Sequence, residues 1–314
     1  MGFTAGSIIY RQLLTEIDME TGFIGIGQMG RRMSKRILEA GYSLTVCDLN
    51  KEAASPLLEM GARWADTPAE VAASCRVVIS SLPAPQDVEG VVYGEKGLKA
   101  GWKEGDIYID MSTNSPSVIR KIAREAGSMG VAVLDAPVSG GTKAAETGNL
   151  VIMVGGDRSS LERVRAVLET MGQKVVLVGD AGCGNIAKLV NNLIALTCNS
   201  ITAESFVLGV KAGIDPKTLW DIITESTGNN WCLQQYFDSV FKGNFEPGFK
   251  VSLAYKDIGL ALELGKEYEI ASSIGLAVQE DLRGTIEAGH ADKGVDAVIL
   301  PREKASGVQV RLPE

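Results

Sequence analysis

The stretch GFIGIGQMG, residues 22–30, decides the fold of this chain. It closes an apolar run, places glycines at positions 25, 27 and 30, and opens the helical pattern GRRMSKRILEAG. Absent side chains let the backbone turn tightly and approach a ligand, while the first N–H groups of a helix attract an anion. The stretch therefore predicts a strand, a phosphate-binding turn and a helix, in that order. The turn comprises Gly25, Ile26, Gly27, Gln28, Met29 and Gly30.

Apolar runs of the same kind recur along the first half of the chain. Each is short, rich in β-branched residues and bounded by Gly, Pro or Asp, and helical patterns such as SPSVIRKIAREAGSMG lie between them. This alternation predicts the α/β class, with a Rossmann-type, doubly wound and mostly parallel sheet. The predicted strands cover residues 22–27, 42–48, 76–82, 106–112, 131–137, 150–156 and 174–180.

Helical patterns replace the strands after Gly182. The first begins at Asn185 and runs for about thirty residues without a proline or an early glycine. DPKTLWDIITEST, with an Asp-Pro start at Asp215, and SLAYKDIGLALELGKEY follow it. We therefore expect an all-α domain over residues 182–314 after a sheet domain over residues 21–181. A helix as apolar as the first is usually buried, often by a second subunit, which predicts a homodimer or homotetramer.

Residues 1–20 fit neither pattern and form a separate leader segment. They lack the basic start and long apolar core of a secretory signal. Glu16 and Asp18 argue against a mitochondrial transit peptide. Met19 lies just before the first predicted strand, which leads to the hypothesis that it is the natural start of the protein.

The composition argues against several classes of protein. The chain has 314 residues and a net charge of −8, without the Lys/Arg block that nucleic-acid binders use against phosphates. Its five cysteines form no CxxC pair and it has one histidine, so neither a disulfide framework nor a resident metal site is expected. Scattered thiols favour a cytoplasmic protein. No run of 18 apolar residues predicts a membrane span.

An acidic residue ends the second predicted strand. Asp48 lies 18 residues after Gly30, where a carboxylate accepts hydrogen bonds from the ribose of a dinucleotide. It would repel the additional phosphate of NADP, and Leu49 and Asn50 supply no cation to offset that repulsion. The spacing predicts NAD as the cofactor, with NADP as the alternative. A flavin domain or a sensor domain would carry the same turn.

Two further features suggest a substrate site. In DAPVSGGTKAAETGNL, residues 135–150, the small residues at 139–141 expose backbone N–H groups that can bind a carboxylate, although a plain strand-to-helix turn has the same composition. Lys188 and Asn192 lie four residues apart, on one face of an apolar helix. These two residues either line a pocket or lie at the solvent-exposed edge of a buried helix.

Four ordered blocks carry a resemblance to a known family: GFIGIGQMG, DAPVSGGTKAAETGNL, GCGNIAKLVNN and YKDIGLALELGKE, with SLPAPQDV and DMSTNSP beside them. The chain resembles the β-hydroxyacid dehydrogenases, the family of 3-hydroxyisobutyrate dehydrogenase, tartronate semialdehyde reductase and 2-(hydroxymethyl)glutarate dehydrogenase. The resemblance covers about residues 22–312. Within the family, the motif sequences are most similar to those of tartronate semialdehyde reductase and 2-(hydroxymethyl)glutarate dehydrogenase. It implies a cofactor along the carboxyl ends of the strands and a substrate between the domains.

The resemblance implies a role for each matching residue. Lys188 corresponds to the family's catalytic acid/base, and Lys256 to a lysine that reaches the cofactor, with Asp257 fixing its helix. The implied substrate-binding residues are Ser139, Gly140, Gly141, Thr113, Asn192 and Trp231. The implied cofactor-binding residues are those of the glycine-rich turn together with Asp48, Leu82, Pro83, Thr113 and Lys256.

Several positions depart from related patterns. Asn191 stands where 6-phosphogluconate dehydrogenases carry a histidine, which argues against that sugar phosphate as substrate. Asn229 stands where close relatives often have an arginine, so recognition at this position stays open. Trp231 is either a wall of the substrate pocket or part of the core. Lys143 either pairs with a second carboxylate of a dicarboxylic substrate or is a solvated loop lysine.

Together these residues predict an NAD-dependent oxidoreductase that acts on the CH–OH group of a short-chain 3-hydroxy acid or reduces its aldehyde. The substrate would be similar to 3-hydroxyisobutyrate, 2-(hydroxymethyl)glutarate or tartronate semialdehyde. A lysine can take and return the hydroxyl proton when partial burial lowers its pKa toward neutrality. Two alternatives stay open: an NADPH-dependent short-chain semialdehyde reductase, and a non-catalytic NAD-binding interaction protein.

Overall fold

The structure, a computed structural model, describes residues 20–312. The predictions for the leader and for Met19 as the natural start lie outside the described residues. The chain divides into two compact units, the first ending at Gly184 and the second beginning at Asn185. The main hydrophobic clusters lie within one unit or the other.

A nine-stranded, mostly parallel sheet forms the centre of the described part of the first unit. Its strands run in the order β3-β2-β1-β4-β5-β6-β8-β7, and β9 pairs with β8. The pairs β6–β8 and β7–β8 are antiparallel, and the other pairs are parallel. The strands are β1 (Thr21–Ile24), β2 (Leu44–Cys47), β3 (Arg63–Trp64), β4 (Val77–Ser80), β5 (Ile107–Asp110), β6 (Ala132–Asp135), β7 (Val138–Ser139), β8 (Leu150–Gly155) and β9 (Gly172–Gly179).

Alternate residues of the central strands supply two separate hydrophobic cores. In β1, Phe23 belongs to one core and Ile24 to the other; in β5, Ile109 and Tyr108 divide in the same way. Because successive strand residues point to opposite faces, the sheet is covered on both sides. This confirms the predicted doubly wound α/β architecture and explains why its strands are apolar throughout.

The helices of the first unit follow the predicted strand–helix alternation. The two helical patterns quoted from this part of the sequence begin at Gln28 and Pro116, within a few residues of their expected positions. Several helices begin at a proline, whose fixed φ suits the first helical turn. These helices are α1 (Gln28–Glu39), α2 (Ser55–Glu59), α3 (Pro68–Ser74), α4 (Pro85–Tyr93), α5 (Pro116–Gly127), α6 (Gly141–Thr147) and α7 (Arg158–Met171). Short 3₁₀ turns lie at Lys51–Ala54 and Leu98–Ala100.

Two strands, β3 and β7, are absent from the sequence-based prediction. Each has two residues, and β7 lies inside the glycine-rich segment 135–150. A pair of residues is too short to show the alternation that marks a strand, so pairing with a neighbouring strand decides these elements. The paired neighbours are β2 for β3 and β8 for β7.

The described part of the second unit is helical, as predicted. Its helices are α8 (Cys183–Lys211, beginning in the last two residues of the first unit), α9 (Pro216–Thr224), α10 (Trp231–Gln235), α11 (Val251–Glu267), α12 (Ser273–Thr285) and α13 (Ile299–Ser306). Short 3₁₀ turns occur at Val240–Lys242 and Val295–Val298, and a π-helical turn at Ile286–His290. Edge-to-face contacts of Tyr236 with Phe206 and Phe241 lie at the centre of its core.

The 29-residue helix α8 is apolar on two sides. One side packs into the core of its unit through residues such as Leu196 and Phe206. Val190, Ile194, Ile201 and Leu208 are exposed on the helix, each at least half accessible. Among the described residues, α8 is the one helix whose length and composition would allow it to cross a membrane, which the sequence analysis did not anticipate. A buried core helix of a globular protein passes the same test.

Candidate functional site

The glycine-rich turn leaves open space in front of helix α1. A Cβ on Gly25, whose φ is +93°, would lie 2.4 Å from the backbone oxygen of Ser81, and one on Gly30 would lie 1.8 Å from the oxygen of Gly25. A Cβ on Gly27 would meet no atom within 4 Å. Packing therefore requires glycine at positions 25 and 30, whereas Gly27 borders the space that a pyrophosphate would occupy.

Asp48 contacts the same turn. Its Oδ2 accepts a hydrogen bond of 2.5 Å from the backbone N–H of Ile26, and its Oδ1 accepts one of 2.8 Å from Asn50. The carboxylate is half-buried, and each oxygen has a further lone pair for a ribose hydroxyl. Leu49 is fully exposed and brings no positive charge. The arrangement fits the adenosine ribose of NAD.

Leu82, Pro83 and Thr113 lie in the loops that follow β4 and β5. Strand β4 neighbours β1 in the sheet and β5 neighbours β4, all in parallel, so their carboxyl ends and the glycine-rich turn share one edge. The contact is close, because a Cβ on Gly25 would lie 2.9 Å from Cδ2 of Leu82. The structure thus brings the predicted cofactor-binding residues of the first unit together.

A buried polar network lies beneath these loops, and none of its residues is among the site residues predicted from the sequence. The fully buried Asp110 accepts hydrogen bonds from the Ser80 hydroxyl at 3.0 Å, the Ser112 N–H at 3.1 Å and the Asn114 side chain at 2.9 Å. Burial raises the pKa of Asp110, and these hydrogen bonds act against the rise. The sequence feature that could have revealed this network is an acidic residue at the end of an apolar strand.

The predicted carboxylate-binding turn joins β7 to α6. Ser139 is half-buried in β7, and Gly140 and Gly141 are exposed at the start of α6. Gly140 has a φ of +129°, and a Cβ there would lie 2.6 Å from that of Ala144. A Cβ on Gly141 would meet no atom within 4 Å, so the backbone is accessible at this point. Lys143 is exposed in the first turn of α6.

In the second unit, Asp257 binds two of the predicted site residues. Asn192 Nδ2 donates a hydrogen bond of 2.7 Å to Asp257 Oδ2, and Lys256 Nζ lies 2.9 Å from Asp257 Oδ1. Asn191 donates a hydrogen bond of 3.1 Å to Asn192 Oδ1. Asn192 and Asp257 are buried, so α8 and α11 are joined through a fixed amide–carboxylate contact.

Lys188 lies one turn of α8 before Asn192. Burial lowers the pKa of its ammonium, the negative charge of Asp257 acts in the opposite direction, and the nearby Lys256 lowers it further. Within residues 20–312, no hydrogen bond or ion pair engages this ammonium. A half-buried amine with a lowered pKa and no fixed partner has the properties of a proton-transfer group.

Trp231 does not pack in the core of its unit. Its side chain is 65% exposed at the first position of α10. The preceding Asn230 caps this helix by accepting from the Leu233 N–H at 3.0 Å, and donates to Thr202 at 3.2 Å. Asn229 is exposed beside it. Core packing is therefore not the reason for this tryptophan, and its role as a pocket wall stays a prediction.

The described residues contain no group of three or more His, Cys, Asp or Glu side chains placed to hold a metal ion. Cys47, Cys75, Cys183, Cys198 and Cys232 are free thiols.

Family models match both halves of the chain. Residues 20–179 match the NAD-binding domain of 6-phosphogluconate dehydrogenase, and residues 182–301 match the NAD-binding domain of NADP-dependent 3-hydroxyisobutyrate dehydrogenase. The 2-(hydroxymethyl)glutarate dehydrogenase of Eubacterium barkeri is 37% identical over 297 residues, 94% of this chain and 98% of that protein. The chain belongs to the β-hydroxyacid dehydrogenase family.

Other β-hydroxyacid dehydrogenases are similar over nearly their whole length. An NAD-dependent L-serine dehydrogenase of Pseudomonas aeruginosa is 37% identical, with 89% of this chain and 96% of that protein covered. A solved structure of Mycobacterium tuberculosis 3-hydroxyisobutyrate dehydrogenase with L-serine has a TM-score of 0.82 and 34% identity, covering 90% of this chain and 99% of that one. This β-hydroxyacid dehydrogenase is accordingly an NAD-binding oxidoreductase of CH–OH groups.

Proposed function

We propose that Lys188 is the general acid/base of an NAD-linked oxidation of a short-chain 3-hydroxy acid, run in reverse as reduction of the aldehyde. The lowered pKa of this half-buried amine, beside the Asn192–Asp257 contact, is the observation that carries the proposal. In the oxidation, the neutral amine takes the proton of the substrate hydroxyl; in the reduction, the ammonium returns it. Such proton transfer contributes about 10²–10⁴-fold in rate.

The first unit binds the cofactor in this proposal. The N–H groups at the start of α1 bind the pyrophosphate across the space beside Gly27, and Asp48 accepts from the ribose. Leu82 and Thr113 line the part of this sheet edge where the nicotinamide would lie. When bound, NAD⁺ would supply the acceptor for the hydride that leaves the hydroxyl-bearing carbon. Lys256, which lies 2.9 Å from Asp257, is the proposed cofactor-binding residue of the second unit.

The substrate carboxylate is bound by Ser139, Gly140 and Gly141 through one hydroxyl and accessible backbone N–H groups. Asn192 donates one amide hydrogen to Asp257 and retains a second hydrogen for the substrate. The exposed Trp231 forms an apolar wall. Lys143, exposed in α6, pairs with a second carboxylate where the substrate is dicarboxylic.

The relatives suggest which substrates to test first, because their names include 2-(hydroxymethyl)glutarate, 3-hydroxyisobutyrate and L-serine dehydrogenases. These compounds share a carboxylate and a primary hydroxyl on the carbon next to Cα. The proposed site has one group for each feature: the Ser139–Gly141 turn for the carboxylate and Lys188 for the hydroxyl.

The test follows NAD⁺ reduction and NADH oxidation at 340 nm with these three acids, tartronate semialdehyde and succinic semialdehyde. We expect turnover with at least one of them, loss of at least about 10²-fold in Lys188→Ala, and retained NADH binding. Lys211→Ala, which changes an exposed lysine of the same helix, is the matched control. Turnover near the wild-type level in Lys188→Ala would remove this residue from its proposed role.

We further propose that the protein is a cytoplasmic homodimer or homotetramer. The exposed residues Val190, Ile194, Ile201 and Leu208 are spaced by four or seven positions, so they form one stripe along α8. A second copy of the chain would cover this stripe. Light scattering would then give a multiple of the monomer mass for the wild type and a lower mass for Ile194→Glu. A monomeric wild type would contradict the assignment.

A further inference from the structure

The carboxyl ends of β4 and β5 are tied together by one buried acid. Ser80 and Asp110 are paired across the two strands, and each ends its strand. The loop after β4 contains Leu82, and the loop after β5 contains Thr113. Both loops belong to the proposed NAD site, on which the inference below rests.

Asp110 connects these loops through Ser112. The Ser112 backbone N–H donates to Asp110 Oδ1, and the Ser112 side chain helps to hold down the pKa of the Asp110 carboxyl. The Ser112 hydroxyl accepts a hydrogen bond of 2.9 Å from the Leu82 backbone N–H. A shift of the carboxylate would therefore move both loops, because Asp110, Ser112 and Asn114 are all at least 97% buried.

The polarity of this network is fixed. Asn114 Oδ1 accepts from the Ser115 N–H at 2.7 Å, so its Nδ2 must face Asp110 Oδ2, 2.9 Å away. Ser80 donates its one hydroxyl hydrogen to Asp110 Oδ1 at 3.0 Å, so it accepts from the Tyr108 hydroxyl at 2.8 Å. Both oxygens of Asp110 thus face donors, and an amide at this position would place an NH₂ group against one of them.

We infer that Asp110 is a positioning residue for the cofactor: its buried carboxylate holds the loops of Leu82 and Thr113 in the conformation that binds the nicotinamide half of NAD. Asp110 lies beneath the loops and acts through Ser112 and Asn114. A second buried acid, Asp106, lies at the opposite end of β5, where it accepts from Arg76 at 2.7 Å and from the Lys103 N–H at 2.8 Å. It provides a matched control immediately before the same strand.

The experiment measures the Kd of NADH by its fluorescence, together with the melting temperature, for four proteins: wild type, Asp110→Asn, Asp106→Asn and the double variant Asp110→Asn/Asn114→Asp. In the double variant the new amide at position 110 donates to a new carboxylate at position 114, which also accepts from the Ser115 N–H. We expect Asp110→Asn to weaken NADH binding at least about tenfold, because a buried donor loses a charged acceptor. The double variant should recover to within about threefold of wild type, and Asp106→Asn should bind as wild type does.

Each outcome decides the inference. Any of three results would overturn it. These are wild-type affinity for NADH in Asp110→Asn, equal losses of NADH affinity in Asp106→Asn and Asp110→Asn, and no recovery of NADH affinity in the double variant. A wild-type protein that binds no NADH would overturn the proposed function as well. If Asp110→Asn does not fold, Ser112→Ala decides, because it removes the hydroxyl that accepts from the Leu82 N–H. Weaker NADH binding in this variant supports the inference, and unchanged binding overturns it.

Discussion

Asn192 and Asp257, separated by 65 residues in sequence, are joined by a buried hydrogen bond of 2.7 Å from Asn192 Nδ2 to Asp257 Oδ2. Lys256 occupies the other oxygen of the carboxylate. The negative charge of Asp257 also acts on Lys188, whose pKa it raises against the larger lowering effect of burial. One carboxylate therefore orients an amide and raises the pKa of the proposed base against the effect of burial.

The charge of Asp257 should be visible in the pH dependence of the reaction. Lys188 must be neutral to accept a proton, so kcat/KM for oxidation rises with pH through its pKa, which lies below 10.5. Asp257→Asn removes the interaction that raises this pKa, so the rising limb should move to lower pH. We also expect about a tenfold loss of rate, because Asn192 loses a charged acceptor.

The pH–rate profile of Asp257→Asn is compared with that of Asp292→Asn, which removes an exposed carboxylate paired with Lys250 in the same unit. The control should keep the wild-type profile. A limb that stays in place, or moves to higher pH, in Asp257→Asn would contradict the electrostatic assignment.

Burial of Lys188 should lower the stability of the folded protein near neutral pH. Its folded pKa lies below the unfolded value, so the unfolded chain binds more protons between these two values, and stability rises with pH across that interval. Replacing the amine with an apolar side chain removes the free-energy cost of burying the charged ammonium. We expect Lys188→Met to be about 1 kcal/mol more stable than wild type at pH 7, with the advantage shrinking toward pH 10.

Urea unfolding at several pH values measures this difference. Lys211→Met, on an exposed part of the same helix, should show no comparable gain. A Lys188→Met protein that is less stable than wild type at pH 7 would show that the ammonium is stabilised where it lies.

Two glycines of the turn should separate the effect of a substitution on folding from its effect on cofactor binding. Gly27→Ala places its methyl group in open space, so the melting temperature should stay unchanged while NADH binding weakens at least about tenfold. Gly30→Ala forces a methyl group against the Gly25 oxygen and should cost about 1–3 kcal/mol of stability. Thermal unfolding and NADH titration of both variants test this; equal effects of the two variants on binding and on stability would refute it.

Asp48 should decide between NAD and NADP. The double change Asp48→Asn/Leu49→Arg removes the charge that repels a ribose phosphate and adds a cation at a fully exposed position. We expect the ratio of kcat/KM for NADP to that for NAD to rise by about 10²-fold, since each hydrogen bond to a charged group contributes about 1.5–3 kcal/mol. Leu49→Arg alone is the control for the added cation. An unchanged ratio in the double variant would refute the cofactor assignment.

Local sequence patterns were sufficient for the architecture. The glycine spacing at 22–30 and the repeated apolar runs predicted the doubly wound sheet, and the uninterrupted pattern after Asn185 predicted the helical unit. The two-residue strands β3 and β7 were missed because they depend on pairing with β2 and β8, which no local pattern encodes. The resemblance to β-hydroxyacid dehydrogenases supplied the residues of the proposed site.

The sequence by itself determined which residue types stand at the turns and strand ends, because phosphate turns, helix starts and buried strands each leave a short-range pattern. It also determined the family and hence the class of reaction. The tertiary structure alone decided the partners of the buried charges. Asp257 meets Asn192, and Asp110 meets Ser80, across 65 and 30 residues. A buried carboxylate must find donors wherever the fold places them, and that placement follows from packing rather than from neighbouring residues.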